Sequence, residues 1–235
     1  MAQICPGCGK RLGENAKKDK LCERCARARA GYFESVLQLR NKKNTHFEEA
    51  LKLAEDIIKG SDARVTKTVP QKDGTDLYLD EKKTAKTIGK RLYSNYGGEH
   101  KLTRSLFSRK RDTQKNIYRD TVLVRLSDIE PGDVILKANR PFRVERVFHD
   151  KLSATDLMHG KKTQFTAGKE EQHIKRGDIS RMQVIRRRPN IEVLDPGSYQ
   201  PRKIENPGKA DNKEKIEKGE ESMPVVEIEG KLYCV

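Results

Sequence analysis

Four of the five cysteines fall in two C-x2-C pairs, Cys5-Pro6-Gly7-Cys8 and Cys22-Glu23-Arg24-Cys25, separated by thirteen residues. This is close to the spacing of zinc ribbons. Each pair lets two thiolates reach one ion from a tight turn, and Gly7 and Gly9 suit such turns because glycine takes positive φ without a Cβ clash. Two turns supply four sulfurs, which close a tetrahedral Zn²⁺ shell. With no open position for water, the site is read as structural: one zinc, held by Cys5, Cys8, Cys22 and Cys25. A redox C-x2-C, which comes singly, and an iron site of the same geometry are the alternatives. A knuckle of roughly 30 residues buries little surface, so the metal supplies its folding energy. Met1 to Ile4 run into Cys5 with no apolar leader, so a reducing, cytoplasmic compartment is expected, where paired cysteines mean metal more often than disulfide. The fifth, Cys234, reads as a packed thiol rather than a reactive one.

Charge points to the class of partner. Among 235 residues there are 50 Lys and Arg against 35 Asp and Glu, a formal charge of +15, with no Trp. No apolar run approaches the ~18–20 residues of a membrane span. The low mean hydropathy of −0.88 argues for small modules joined by solvated segments rather than one large core. The basic surplus favours a polyanion, most often nucleic acid.

From Tyr32 to Leu126 strand and helix patterns alternate. Residues 32–40 read as a strand. Thr45-x-x-Glu48 reads as a capping box before a helix with Phe47, Leu51, Ala54 and Ile58 on one face. Strands follow at 62–69 and 76–79, then a second helix capped by Asp80 with Ala85, Ile88, Leu92 and Tyr96 in a stripe, then strands at 99–109 and 117–126. The order β-α-β-β-α-β plus one strand predicts a split βαβ, ferredoxin-like sheet with both helices on one face and the other face free. Residues 99–126 hold eight basic and three acidic side chains. Arg109-Lys110-Arg111 falls at a hairpin tip that can enter an RNA groove, or is simply a solvated turn.

Residues 127–195 show short alternating runs between turn signals such as Pro131-Gly132-Asp133, the pattern of a small SH3- or OB-type barrel. Arg140 lies in the turn Asn139-Arg140-Pro141. Lys161-Lys162 and Arg186-Arg187-Arg188 fall at loop or strand ends, where they serve RNA or discourage edge pairing. The fold class expected is α+β: a zinc ribbon at 1–30, a ferredoxin-like domain at 31–126, an SH3/OB-like β-barrel at 127–195, a charged linker at 196–222 and a C-terminal hairpin at 223–235 turning at Glu229-Gly230.

Several phrases carry a family resemblance. C-P-G-C-G and C-E-R-C, Y-F-E-S-V-L-Q-L-R at 32–40, N-I-Y-R-D-T-V-L-V-R-L at 116–126, and P-G-D-V-I with R-P-F-R-V at 131–144 resemble the archaeal branch of the nonsense-mediated-decay protein three family. The eukaryotic members of that family are export adaptors for the large ribosomal subunit. The resemblance implies a zinc region, a mixed domain like a ribosomal stalk protein, and a barrel like translation factor five A. It also implies binding across the intersubunit face of the large subunit, to rRNA and ribosomal proteins. Many relatives carry cysteines for a second zinc, and here only four ligand candidates occur. Leu-rich shuttling motifs are not visible at 196–235, so ribosome assembly or surveillance in a cell without a nucleus fits better than export.

The expected function is therefore non-catalytic binding of the large subunit, with Arg109, Lys110, Arg111, Arg140, Lys161, Lys162, Arg186, Arg187 and Arg188 as RNA contacts and no membrane or small-molecule substrate. The alternative is a zinc-ribbon RNA-modifying enzyme or an accessory subunit of one. The sequence has no G-x-x-x-x-G-K-[ST], H-E-x-x-H or G-x-S-x-G, and His46, His100, His149, His159 and His173 have no ligand spacing. No helix-turn-helix pattern supports a DNA regulator.

Overall fold

The computed structural model describes residues 4–9, 11–12, 20–109, 114–166, 172–206 and 221–235. The chain forms two compact units, Met1–Ser127 and Asp128–Val235.

In the first unit a short helix α1 (Glu23–Arg29) precedes β1 (Ser35–Arg40), α2 (Phe47–Lys59), β2 (Val65–Gln71), β3 (Gly74–Leu79), α3 (Lys82–Tyr96), β4 (Glu99–Arg109) and β5 (Asn116–Arg125). The strands make one sheet in the order β2-β3-β1-β5-β4. Leu37, Leu39, Val122 and Val124 bury one face against Phe47, Ala54, Ile58, Ile88 and Leu92 of the two helices. Close approach of α3 depends on Gly89: a Cβ there would stand 2.4 Å from Val122 Cγ1.

The sheet departs from the ferredoxin-like order. In that arrangement the strand after the second helix lies antiparallel beside β1, but here β5 takes the place and runs parallel to β1, while β4 is pushed to the edge. The reason is burial. Val122, Val124 and Leu126 alternate and are wholly buried, whereas β4 is exposed along most of its length. The more apolar strand takes the central position.

Both expected helix caps also differ. Helix α2 takes His46, not Thr45, as its N-cap, and the His46 side chain makes no cap bond. Instead Asn44 Oδ1 accepts from the His46 N–H at 2.7 Å. Helix α3 is capped at Glu81, and Asp80 is engaged elsewhere.

The second unit contains two further sheets. One has the order β10-β6-β7-β8-β9, from β6 (Val134–Lys137), β7 (Arg140–Phe148), β8 (Lys151–Asp156), β9 (Lys162–Thr166) and β10 (Gln172–Ile174). The other has the order β13-β12-β11-β14-β15, from β11 (Ser180–Arg186), β12 (Glu192–Leu194), β13 (Pro201–Lys203), β14 (Ser222–Ile228) and β15 (Lys231–Cys234). The runs at 133–194, read from sequence as one barrel, are therefore divided between two sheets. Short strands β11 and β12 need a cover for Met182, Ile191 and Val193, and Val225, Leu232 and Cys234 of the C-terminal hairpin provide it. That hairpin turns at Glu229-Gly230, both at positive φ, as a two-residue loop requires. The stretch read as a linker contributes β13, a fully buried Ile204, and Asn206, whose amide bridges Leu157 O and Cys234 O. The rest of that stretch, 207–220, lies outside the described residues.

Candidate metal centre and nucleic-acid interface

The Sγ atoms of Cys5, Cys8, Cys22 and Cys25 all lie within 4.8 Å of one another, and Cys8 and Cys22 are 3.7 Å apart. A tetrahedral ion with metal–sulfur bonds of about 2.3 Å wants its sulfurs about 3.8 Å apart. The four side chains thus fit a metal ion. The first pair sits in a turn closed by Cys8 N–H and Gly9 N–H donating to Cys5 O. The second pair lies on a helix rather than a ribbon turn: Cys22 is the N-cap of α1 and Cys25 is in its first turn. The segment Cys25-Ala26-Arg27-Ala28-Arg29 is rich in strong helix formers, which explains the difference. Gly9 has the expected positive φ. Gly7 is needed for another reason, because a Cβ there would meet Leu21 at 3.0 Å and Cys25 Sγ at 3.1 Å.

Backbone N–H groups are directed at the sulfurs. Cys22 N–H donates to Cys5 Sγ at 3.2 Å and Cys25 N–H to Cys22 Sγ at 3.4 Å. The first of these bonds holds the Cys5 thiol below its ordinary value. At Cys25 a hydrogen bond from Arg64 acts in the same sense, but burial and the sulfurs of Cys22, Cys8 and Cys5 outweigh it, and the thiol is pushed up to about 12. A cation among the sulfurs reverses that balance, since thiolates bind it with release of protons.

Two residues that the sequence reading missed tie this cluster to the sheet. Arg64 Nη1 donates to Cys25 Sγ at 2.6 Å. Asp80 accepts from Arg24 through both carboxylate oxygens, at 2.7 and 3.1 Å, and from the Arg64 N–H at 2.8 Å. Arg64 is held firmly protonated, first by the Cys25 bond.

The expected RNA contacts are spread over both units. Arg109 ends β4, exposed, with Nε donating to Gln114 O at 2.9 Å; Lys110 and Arg111 lie outside the described residues. Arg140 opens β7, and Lys161-Lys162 open β9. Since Phe142 pairs with Asp156 and Lys162 with Thr155, these three basic residues share one end of their sheet. Lys162 is partly engaged by Glu145 at 3.1 Å. Arg186, Arg187 and Arg188 are exposed at the end of β11, with Arg186 3.3 Å from Glu192. Strand β14 pairs with β11 over Ser180–Gln183 and β12 with it over Gln183–Arg186.

Among the described residues no helix is long and apolar enough to cross a membrane. A comparison with curated proteins finds no match. Among solved structures the chain is similar to a translation initiation factor eif-5a family protein from Naegleria fowleri, at 14% identity, over 46% of this chain and 90% of that one. Its TM-score of 0.30 carries no weight. The family comparison is more telling: residues 32–126 match the model described as NMD3, second domain. Those residues build the whole of the first unit's sheet with α2 and α3, and it is this domain that is similar to the NMD3 family.

Proposed function

We propose that this chain is a non-catalytic factor that binds the large ribosomal subunit, at the intersubunit face, during assembly or surveillance. The observation that carries the reading is the NMD3 match over residues 32–126, since that family is one of ribosomal-subunit-associated factors. The +15 charge and the exposed basic residues at strand and hairpin ends support rRNA as a principal contact, because phosphate neutralisation dominates affinity for nucleic acid. Ribosomal proteins are the remaining contacts, in the cytoplasm. The four cysteines hold one zinc ion, which is structural because protein sulfurs occupy all four positions.

The test is sedimentation of the purified, zinc-loaded chain with isolated large subunits, isolated small subunits and duplex DNA. Salt-sensitive co-migration with the large subunit alone is the expected result. Equal binding to all three would leave only a general polyanion binder.

A further inference from the structure

The sheet of the first unit covers one face with α2 and α3 and leaves the other half-exposed. The register places Val36, Gln38, Tyr78, Thr121, Leu123, Lys101 and Ser105 on that open face. Across it runs a chain of aromatic and cationic groups that the sequence patterns did not single out. Lys67 Nζ lies 5.8 Å from the Tyr78 ring centre. The Tyr78 ring meets Phe33 edge-on at 4.8 Å. The Arg119 guanidinium then sits between two phenyl rings, 3.8 Å from Phe33 and 3.3 Å from Phe107. The row thus reaches from β2 at one edge to β4 at the other. Phe107 occupies a bulge opposite Tyr118 and Ile117 and is 49% exposed.

We propose that this open face is a stacking platform for unpaired RNA bases, with Phe107, Phe33 and Tyr78 as the rings and Arg119 and Lys67 as the flanking cations. Exposed aromatics on a sheet face with no helix above them are the feature by which sheet-type RNA modules hold splayed-out bases. Base–aromatic stacking works for any base, since each has a π-face. Charge complementarity selects a nucleic acid over a protein segment. Arg40 and Arg125 are occupied by Asp76 and Asp73, but Lys67 stands beside the Tyr78 ring and Lys101 shares the open face. Arg119 spends Nε on Phe33 O at 3.1 Å, and its two Nη groups have no hydrogen-bond acceptor among the described residues. They can donate to phosphate or to a base edge while the plane stays stacked. The proposal deepens the ribosomal reading, on which it rests for the source of the RNA.

The experiment uses the full zinc-loaded chain and an eight-nucleotide single-stranded RNA containing 2-aminopurine, whose emission falls on stacking; the chain has no Trp to interfere. Wild type is expected to bind with quenching, and to bind a duplex of the same sequence more weakly. Phe107→Leu and Phe33→Leu should each weaken binding roughly tenfold and remove quenching. Arg119→Gln should weaken it too. Leu106→Ser, an exposed position on the opposite face of the same hairpin, should change neither. Thermal unfolding checks that each variant is folded. Unchanged quenching in folded Phe variants, tighter binding of duplex, or no oligonucleotide binding by a wild type that still sediments with large subunits would each overturn the platform. Oligonucleotide quenching by a chain that ignores large subunits would uphold the platform and overturn the ribosomal reading.

Discussion

Arg64 donates from Nη1 to the sulfur of Cys25 across 2.6 Å, and through that bond the residue just ahead of β2 takes part in the environment of the cysteine cluster. Asp80 completes the link by accepting from Arg24 of α1 and from the Arg64 backbone. Removing a group that orients a metal ligand typically lowers metal affinity by about 10–100-fold. Arg64→Gln in the zinc-loaded chain should therefore lose metal to a chelator at roughly tenfold lower chelator concentration. Asp80→Ala should do the same and lower unfolding stability by about 1–2 kcal/mol, as it leaves Arg24 and the Arg64 N–H without an acceptor. Chelator titration followed with a zinc indicator reads the first effect; urea unfolding reads the second.

Purified chain should contain one zinc by elemental analysis. Cys22→Ser removes a ligand while leaving a hydroxyl that can still cap α1. It should abolish stoichiometric zinc and raise hydrogen exchange across the cysteine-rich segment, while β1 to β5 remain protected. Two zinc ions per chain, or none, would contradict the assignment.

Asp120 is fully buried on the helix side of β5, 2.9 Å from Arg104 Nε and 2.8 Å from Lys86 Nζ. Burial alone would raise its carboxyl, but the bonds from Arg104 and Lys86 win and hold it below the usual carboxylate range. A depressed carboxyl stabilises the fold above its unfolded value near ~3.9 and loses that contribution as pH falls through the folded value. Asp120→Asn should cost about 1–3 kcal/mol at pH 7, less than for a wholly buried pair, because both cations reach water. The gap from wild type should narrow below about pH 4. Denaturant unfolding at pH 7, 4 and 3 measures it, and a gap of constant size would contradict the pairing.

How much of this was legible in the sequence depended on the range of the interaction. The two C-x2-C pairs are local signals, and their four sulfurs do converge. Arg64 and Asp80 stand 39 and 56 residues from their partners in the cluster, and Asp80 before a helical stripe reads as an ordinary cap. The helix stripes with Phe47, Ile58, Ile88 and Leu92 were readable because a period of 3.6 survives in any one-sided helix. The order of β4 and β5 was not, since strand pattern reports a buried face and not a neighbour. Strand β13, with only Pro201, Arg202 and Lys203, carries no alternation at all. Its place comes from pairing with β12. The row from Lys67 to Phe107 joins residues from across the sheet, so no window of sequence contains it.

The basic triplets provide a separate test of RNA contact. Replacing Arg186, Arg187 and Arg188 with Gln should weaken large-subunit binding and flatten the plot of log affinity against log salt by up to ~2–3, at roughly 0.7–0.9 per phosphate released. The same change at Arg109, Lys110 and Arg111 should act alike. Fold stability should barely move, because exposed charges contribute little. An unchanged slope in either variant would remove that triplet from the interface.

The most direct measurement of the central claim is the salt dependence of binding between the zinc-loaded wild-type chain and isolated large ribosomal subunits, with small subunits as competitor. Saturable one-to-one binding that small subunits do not displace, with affinity falling steeply and linearly in log salt, is the predicted result. Binding that small subunits compete away equally, or none at moderate salt, would contradict it.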